Sequence, residues 1–555
     1  MSFLQKGVQL LPMNLFRRLL ILLFIVLFVS ILLRTAWLSD DAYITFRTVD
    51  NFVHGYGLTW NPAERVQAYT HPLWMFLLSA FYFFTREIYY TSLSFSMGVS
   101  LLAVFFFSLK IPRSTGATLF GSTALLFSRA FIDYSTSGLE NPLTHLLLVL
   151  FFWIYLQNKS DLKTLFILSL LAALGAFNRL DVILIYLPSL VGVLLKNRHP
   201  KALAVMMLGL APLILWIFFS LFYYGFPFPN TAYAKFNSGV PQSELTTQGF
   251  YYLEEPFSSD PTTFLILAPL LVLPVLILLE YKTTIGRQSL AFVRQHLPLI
   301  LGITFYAAYL VRIGGDFMSG RMLTSLFLCT LILWTQVSWK PRLQGWVWGS
   351  LTLIAILSGL LSPFPTVFSD AHYREGTPFW KFIDTAGVAD ERGFYYQATS
   401  LLNTLESGKP PLWKNDWANE GRSWRYANQR LVVTTSIGFR GYYAGPNVHI
   451  VDTFALADPL LARLPILTGA RWRIGHFERA LPCGYLETLE SGRNKIQNPN
   501  LALYYDKLSL VTRGPLFSLQ RLREIWNLNT EKYSYLIQSY IPSPCREPSS
   551  LLHPP

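Results

Sequence analysis

Charge is what this chain of 555 residues has least of. Only 14% of its residues are charged, against 52% hydrophobic and 16% aromatic. A soluble globular protein carries about 25% charge, so a soluble multi-domain enzyme is excluded. A disordered chain is excluded as well, because it would leave that apolar surface in water. Cysteine is nearly absent, with three residues in all. Neither Cys nor His falls at the spacing of a structural zinc site. Methionine is scarce and scattered. No G-x-x-x-x-G-K-[ST] sequence is present, which argues against ATP-driven transport. No basic tract is interleaved with aromatics, which argues against nucleic acid as a partner. There is no internal repeat. What remains is a polytopic membrane protein with room for one soluble domain.

Most of the net charge of +13 lies in residues 1–362, as expected of basic loops beside membrane spans. Lys6, Arg17 and Arg18 precede an apolar run from Leu19 to about Leu38. Arg34 interrupts that run and no A-x-A-like cleavage site follows, so it reads as an uncleaved first span rather than a signal peptide. Further apolar runs are Ile88–Leu109, Gly116–Ile132, Pro142–Leu156, Thr164–Phe177, Val182–Leu195, Ala202–Phe222, Phe264–Leu279, Leu297–Val311, Met322–Val337 and Trp346–Leu361. Parity settles the short run Pro72–Phe84. If it lies in the interface, the loops with Lys110/Arg113, Lys159/Lys163, Lys196/Arg198/Lys201, Lys282/Arg287/Arg294 and Lys340/Arg342 all fall inside, as the positive-inside rule requires. The expectation is a mainly α membrane helix bundle of eleven spans over residues 1–362. An extracytoplasmic α+β domain over residues 363–555 follows it. Strands are expected at Leu431-Val432-Val433 and Val448-His449-Ile450-Val451, and a helix from Leu516 to Leu528. Cys329 sits in an apolar run and reads as inert packing. Cys483 and Cys545 can pair if their domain faces an oxidising compartment.

This topology gathers ionisable residues at the outer ends of many spans: Asp40, Asp41, Arg47, Glu64, His71, Glu140, Arg179, Asp181, Lys235, Asp316 and Arg321. Interfacial ion pairing is the plain explanation of any one of them. Span-end ionisable groups that face a cavity are functional candidates. The adjacent carboxylates Asp40 and Asp41 follow the first span directly. Partial desolvation and mutual repulsion would raise at least one pKa, which suits a general base toward a hydroxyl. Asp41 also suits the N-cap of a helix starting near Ala42. Arg179 and Asp181 are close enough in sequence to pair with each other.

The ordered blocks around these residues resemble a known family. They are Asp40-Asp41-Ala42-Tyr43-Ile44-Thr45-Phe46-Arg47, Gly55-Tyr56-Gly57-Leu58-Thr59-Trp60-Asn61-Pro62 and Tyr69-Thr70-His71-Pro72-Leu73-Trp74. Further along come Gly138-Leu139-Glu140-Asn141-Pro142, Asn178-Arg179-Leu180-Asp181, Tyr223 to Thr231, Gly314-Gly315-Asp316-Phe317 and Gly441 to Pro446. Asp452 to Arg463 and Gly475 to Arg479 extend the pattern. Together they resemble GT-C-type glycosyltransferases, most of all the mycobacterial arabinofuranosyltransferase AftB family. The resemblance implies an inverting enzyme of a bacterial plasma (inner) membrane. It would transfer a sugar, arabinofuranose in those relatives, from a polyprenyl-phosphate donor to an extracytoplasmic glycan, lipid or protein. Asp40 or Asp41 is then the base, with Asp40 favoured because Asp41 is the better cap. Arg47, Arg179, Lys235 and Arg321 are candidates for the departing phosphate, and His71 for a donor to it. Glu140, Asp181 and Asp316 are candidates for sugar hydroxyls, for arginine partners or for a cation. No compact ligand motif is present, so a divalent cation stays open and no cofactor is certain. The alternative class is a transporter or flippase of a lipid-linked sugar, which should carry a polar pathway through to the inner side.

Overall fold

The computed structural model describes residues 15–236, 238–269, 284–467, 472–538 and 540–542. It is mainly helical. Each apolar run read from the sequence is helical there, Gly116–Ile132 as two helices broken at Ser128, except Phe264–Leu279, which lies largely outside the described residues. Among the described residues, five helices are long and apolar enough, by length and composition, to cross a membrane: Leu15–Thr35, Ile88–Lys110, Ala202–Tyr223, Phe292–Ile313 and Pro341–Leu360. Five shorter apolar helices accompany them. Among these is Pro72–Thr85, with 14 residues. At a rise of 1.5 Å per residue it is about 21 Å long, short of a hydrocarbon core of about 30 Å. Its sequence places Pro at the first turn, where the missing N–H costs no hydrogen bond.

The chain packs as two compact units that interleave along the sequence. The compositional change at Ser362 does not mark the division between them. Residues 363–407 cluster with the apolar helices, and residues 39–91 and 214–241 cluster with the C-terminal stretch.

The first unit comprises residues 1–38, 92–213 and 242–407. Its core is a continuous apolar cluster contributed by most of its helices, with Phe28, Phe107, Phe151, Leu165, Leu299 and Phe327 fully enclosed. Small residues let helices approach closely. A methyl group on Gly302 would lie 2.3 Å from the carbonyl oxygen of Ile185, and one on Gly209 would lie 2.8 Å from that of Phe166. Cys329 is a buried free thiol here, as its apolar surroundings suggested.

The second unit comprises the described residues within 39–91, 214–241 and 408–542. Its two described strands, Leu431–Thr434 and His449–Asp452, pair in parallel with Leu431 opposite His449 and Thr434 opposite Asp452. Parallel strands need a crossover, and the short helix Phe439–Ala444 supplies it. One small core gathers Ile44, Trp60, Ala68, Trp424, Ile437, Val448 and Ile450. A larger one runs from Phe226 and Val451 through Leu461, Tyr485, Leu508 and Val511 to Leu536. The expected helix near Leu516 to Leu528 is found at Leu519–Asn529, capped by the Ser518 side chain. Cys483 is disulfide-bonded. Cys545 lies outside the described residues.

Candidate functional site

The acidic pair opens the helix Asp40–Val53 in the second unit. Its N-cap is Ser39, whose hydroxyl accepts the Ala42 N–H at 3.2 Å. Asp41 is therefore not the cap, and the reason given for preferring Asp40 as the base falls away. Asp40 has its own task. One carboxylate oxygen accepts the Phe439 N–H at 2.7 Å and the other the Gly438 N–H at 3.3 Å. It thereby caps the helix Phe439–Ala444 from a distant part of the sequence. Burial pushes its pKa up to about 7, the two backbone N–H groups oppose that, and the charge of Asp41 adds to it. Asp40 is 7% exposed, whereas Asp41 is only partly buried.

Close approach makes this latch specific. A methyl group on Gly438 would lie 1.9 Å from the Asp40 carbonyl oxygen and 2.5 Å from its carboxylate carbon. The nearest of these is backbone, which cannot rotate away. Gly438→Ala is expected to destabilise the protein by about 1–3 kcal/mol through overpacking. Thermal unfolding in detergent measures this, and an unchanged midpoint would show that the approach is not tight.

Arg47, read from the sequence as a phosphate ligand, is 2% exposed. Its Nε donates to the Trp60 carbonyl at 2.9 Å, its Nη1 to Gly441 at 2.6 Å and its Nη2 to Val448 at 2.8 Å and to Asn61 Oδ1 at 3.3 Å. The guanidinium also sits 4.2 Å over the Trp60 ring. Four of its five N–H groups are committed to joining three chain segments. His71 precedes Pro72–Thr85, with Nε2 at 2.7 Å from the Thr45 hydroxyl and Nδ1 at 3.3 Å from Thr70. Lys235 ends the helix Asn230–Phe236 and is exposed.

The other five candidates meet in the first unit as one chain of ion pairs. Glu140 is completely buried. Its Oε1 accepts Arg179 Nη1 at 2.5 Å, and both its oxygens accept Arg321 Nη2, at 3.3 and 3.2 Å. Arg179 turns its other edge to Asp181, with Nε at 2.9 Å from Oδ1. Arg321 Nη1 lies 3.7 Å from Asp316 Oδ2. Three carboxylates thus face two guanidinium groups. Arg179 and Asp181 do pair, as their spacing allowed, but the buried partner Glu140 makes the pair part of a larger network.

Helix ends hold these residues. Asn178 donates to the Glu140 carbonyl at 3.1 Å and to the Thr144 hydroxyl at 2.9 Å. Asn141 donates to the Arg321 carbonyl and to the Thr324 hydroxyl, both at 3.1 Å. Gly315, at φ +72°, turns the chain toward Asp316, and a methyl group there would lie 2.4 Å from the Tyr252 ring.

A second polar cluster of the first unit was missed in the sequence. Arg129 pairs with Asp133 at 3.2 Å and with Asp390. Asp133 pairs with Arg392 at 2.7 Å, and Asp390 with Arg374 at 2.5 Å. Arg129, Asp133, Asp390 and Arg392 line a small cleft together with Glu255 and Asp260. The only local signal was the i,i+4 spacing of Arg129 and Asp133; residues 374–392 stand more than two hundred positions away. Among the described residues, no group of three or more His, Cys, Asp or Glu is arranged to hold a metal ion.

No family model matches the chain. It is 26% identical over 532 residues to the terminal beta-(1->2)-arabinofuranosyltransferase of Mycobacterium tuberculosis, covering 80% of this chain and 81% of that one. It is 26% identical over 523 residues to the protein of the same name from Corynebacterium glutamicum, covering 79% of this chain and 72% of that one. Among solved structures it is similar to the crystal structure of ArnT from Cupriavidus metallidurans bound to undecaprenyl phosphate, at 12% identity and a TM-score of 0.41, covering 78% of this chain and 85% of that one. The likeness to arabinofuranosyltransferases expected from the motifs is thus found along four fifths of the chain.

Proposed function

We propose that this chain is an integral-membrane, inverting glycosyltransferase of the GT-C type. It takes a sugar, arabinofuranose by the likeness to its relatives, from a polyprenyl-phosphate donor. It adds that sugar to an extracytoplasmic glycan, lipid or protein. The observation that carries this reading is the similarity to two terminal arabinofuranosyltransferases over about 80% of the chain.

The base is Asp41, the less buried of the acidic pair, whereas the buried Asp40 takes the backbone N–H groups of Gly438 and Phe439. Asp41 accepts the proton of the acceptor hydroxyl as its oxygen attacks the anomeric carbon. The bond from that carbon to the phosphate oxygen breaks, and the polyprenyl phosphate departs with the electron pair. A phosphate leaves as a stable anion, so no carboxylic acid has to protonate it, unlike the leaving oxygen of a glycosidase substrate. One base and no enzyme nucleophile suffice. Asp40 is a positioning residue. Arg179, Asp181, Asp316 and Arg321 bind substrate, with guanidinium groups suited to phosphate and carboxylates suited to sugar hydroxyls, and the enclosed Glu140 holds the two guanidinium groups in place. Lys235 and His71 are further donors.

The membrane placement follows the charge pattern: eleven spans in the bacterial plasma membrane, with the N-terminus inside. The residues after Ser362 lie outside. The disulfide at Cys483 supports this side, because such bonds persist in oxidising compartments.

A single displacement inverts the anomeric centre. Nuclear magnetic resonance of the product is expected to show the anomeric configuration opposite to that of the donor. Retention would contradict the one-base mechanism.

A further inference from the structure

The segment Tyr223 to Pro229 is left unused by the reaction above. With the helix Asn230–Phe236 it walls a small, open cleft in the second unit, lined also by Arg65, Gln67 and Arg463.

Arg463, 8% exposed, is the distinctive group. Its guanidinium carbon lies 4.0 Å from the Phe226 ring centre and 4.8 Å from that of Tyr233. These rings hold its plane. Nη1 donates to Asn230 Oδ1 at 3.2 Å and to the Pro459 carbonyl at 2.6 Å. Asn230 cannot swing away, because its Nδ2 donates to the carbonyls of Ala455, Leu456 and Asp458 at 3.0, 3.2 and 3.0 Å.

Among the described residues, nothing accepts from Nε or Nη2 of Arg463, and no carboxylate lies within 4.0 Å of Arg463 or Arg65. Arg65 donates through Nη2 to the carbonyls of Val511 and Gly514, and its buried Nε has no acceptor. Other buried arginines of this unit differ. Arg479 and Arg521 spend Nε, Nη1 and Nη2 on backbone carbonyls. Burying a cation without an anion is costly. The Nε and Nη2 edge of a guanidinium is a two-donor fork that matches an oxyanion.

We propose that this cleft binds a phosphate group, carried by a lipid or by a sugar, on the Nε and Nη2 edge of Arg463, with Arg65 adding a second positive charge. Only the lipid-borne case rests on the glycosyltransfer reading.

Calorimetric titration of the full chain in phospholipid-free maltoside detergent tests it, with farnesyl phosphate and inorganic phosphate as probes. Wild type is expected to bind farnesyl phosphate. Arg463→Gln should weaken that binding at least tenfold, and Arg463→Lys, which keeps the charge but not the fork, at least threefold. Binding of farnesyl phosphate alone assigns the site to a lipid phosphate. Equal affinity for both probes, lost equally in Arg463→Gln, assigns it to a free or sugar-borne phosphate. Two results would overturn the proposal: no binding of either probe by wild type, or unchanged binding by Arg463→Gln. Should Arg463→Gln not fold, Arg65→Gln decides, and unchanged affinity there overturns it as well. Loss of sugar transfer with phosphate binding intact would count against the glycosyltransfer reading and not against this site.

Discussion

Asp41→Asn is expected to lower sugar transfer by about 10²–10⁴-fold, the range contributed by a general base. The amide keeps the shape of the side chain and cannot take the acceptor proton. Ser39 supplies the helix cap, so the substitution leaves that cap in place. Asp40→Asn should act on stability instead. The amide can offer one oxygen where the carboxylate offers two, so one of the N–H groups of Gly438 and Phe439 loses its acceptor. An unsatisfied buried group costs about 1–3 kcal/mol. The Asp40 variant should therefore show lowered stability with residual transfer per folded molecule, and the Asp41 variant almost no transfer per folded molecule. Transfer by purified protein, normalised to folded protein, separates the two. Full activity in Asp41→Asn would remove the base assignment.

The second large effect is on stability. Glu140 is completely enclosed, and Arg179 and Arg321 share its carboxylate. Glu140→Gln keeps its volume but removes the negative charge between the two guanidinium groups, which keep Asp181 and Asp316 as carboxylate partners. Breaking a buried ion pair by removing one partner costs about 3–5 kcal/mol, because the remaining charge stays buried without compensation. The variant should unfold at a markedly lower temperature in detergent, or fail to accumulate in the membrane. A wild-type unfolding midpoint would mean that Arg179 and Arg321 are held adequately by their outer carboxylates. Replacement of the exposed Lys235 by Gln serves as the comparison, since it leaves this network untouched.

Much of the fold was legible because apolar length and loop charge are local signals. The described apolar runs are helical, with one break at Ser128, and the strands at Leu431–Thr434 and His449–Asp452 fall where β-branched residues and turn residues placed them. The Glu140 network was legible as a list of charged span ends, and the structure joins all five. The roles within the acidic pair were not legible. Ser39 competes with Asp41 as the cap, and Asp40 is engaged by Gly438 and Phe439, about four hundred positions away. Arg47 misled for the same reason. An arginine near a span end looks like a phosphate ligand, and only folded geometry shows its donors spent on the carbonyls of Trp60, Gly441 and Val448. The units could not be read from composition, because turn-rich residues 363–407 supply Arg374, Asp390 and Arg392 to ion pairs with Arg129 and Asp133.

The most direct measurement is incubation of the purified full chain with a panel of polyprenyl-phosphate sugars, following release of the free lipid phosphate with and without a glycan acceptor. Release from the arabinofuranosyl donor, dependent on acceptor and absent in Asp41→Asn, is the predicted result. No release from any donor, together with movement of a lipid-linked sugar across vesicles that lack acceptor, would contradict the enzyme and identify a flippase.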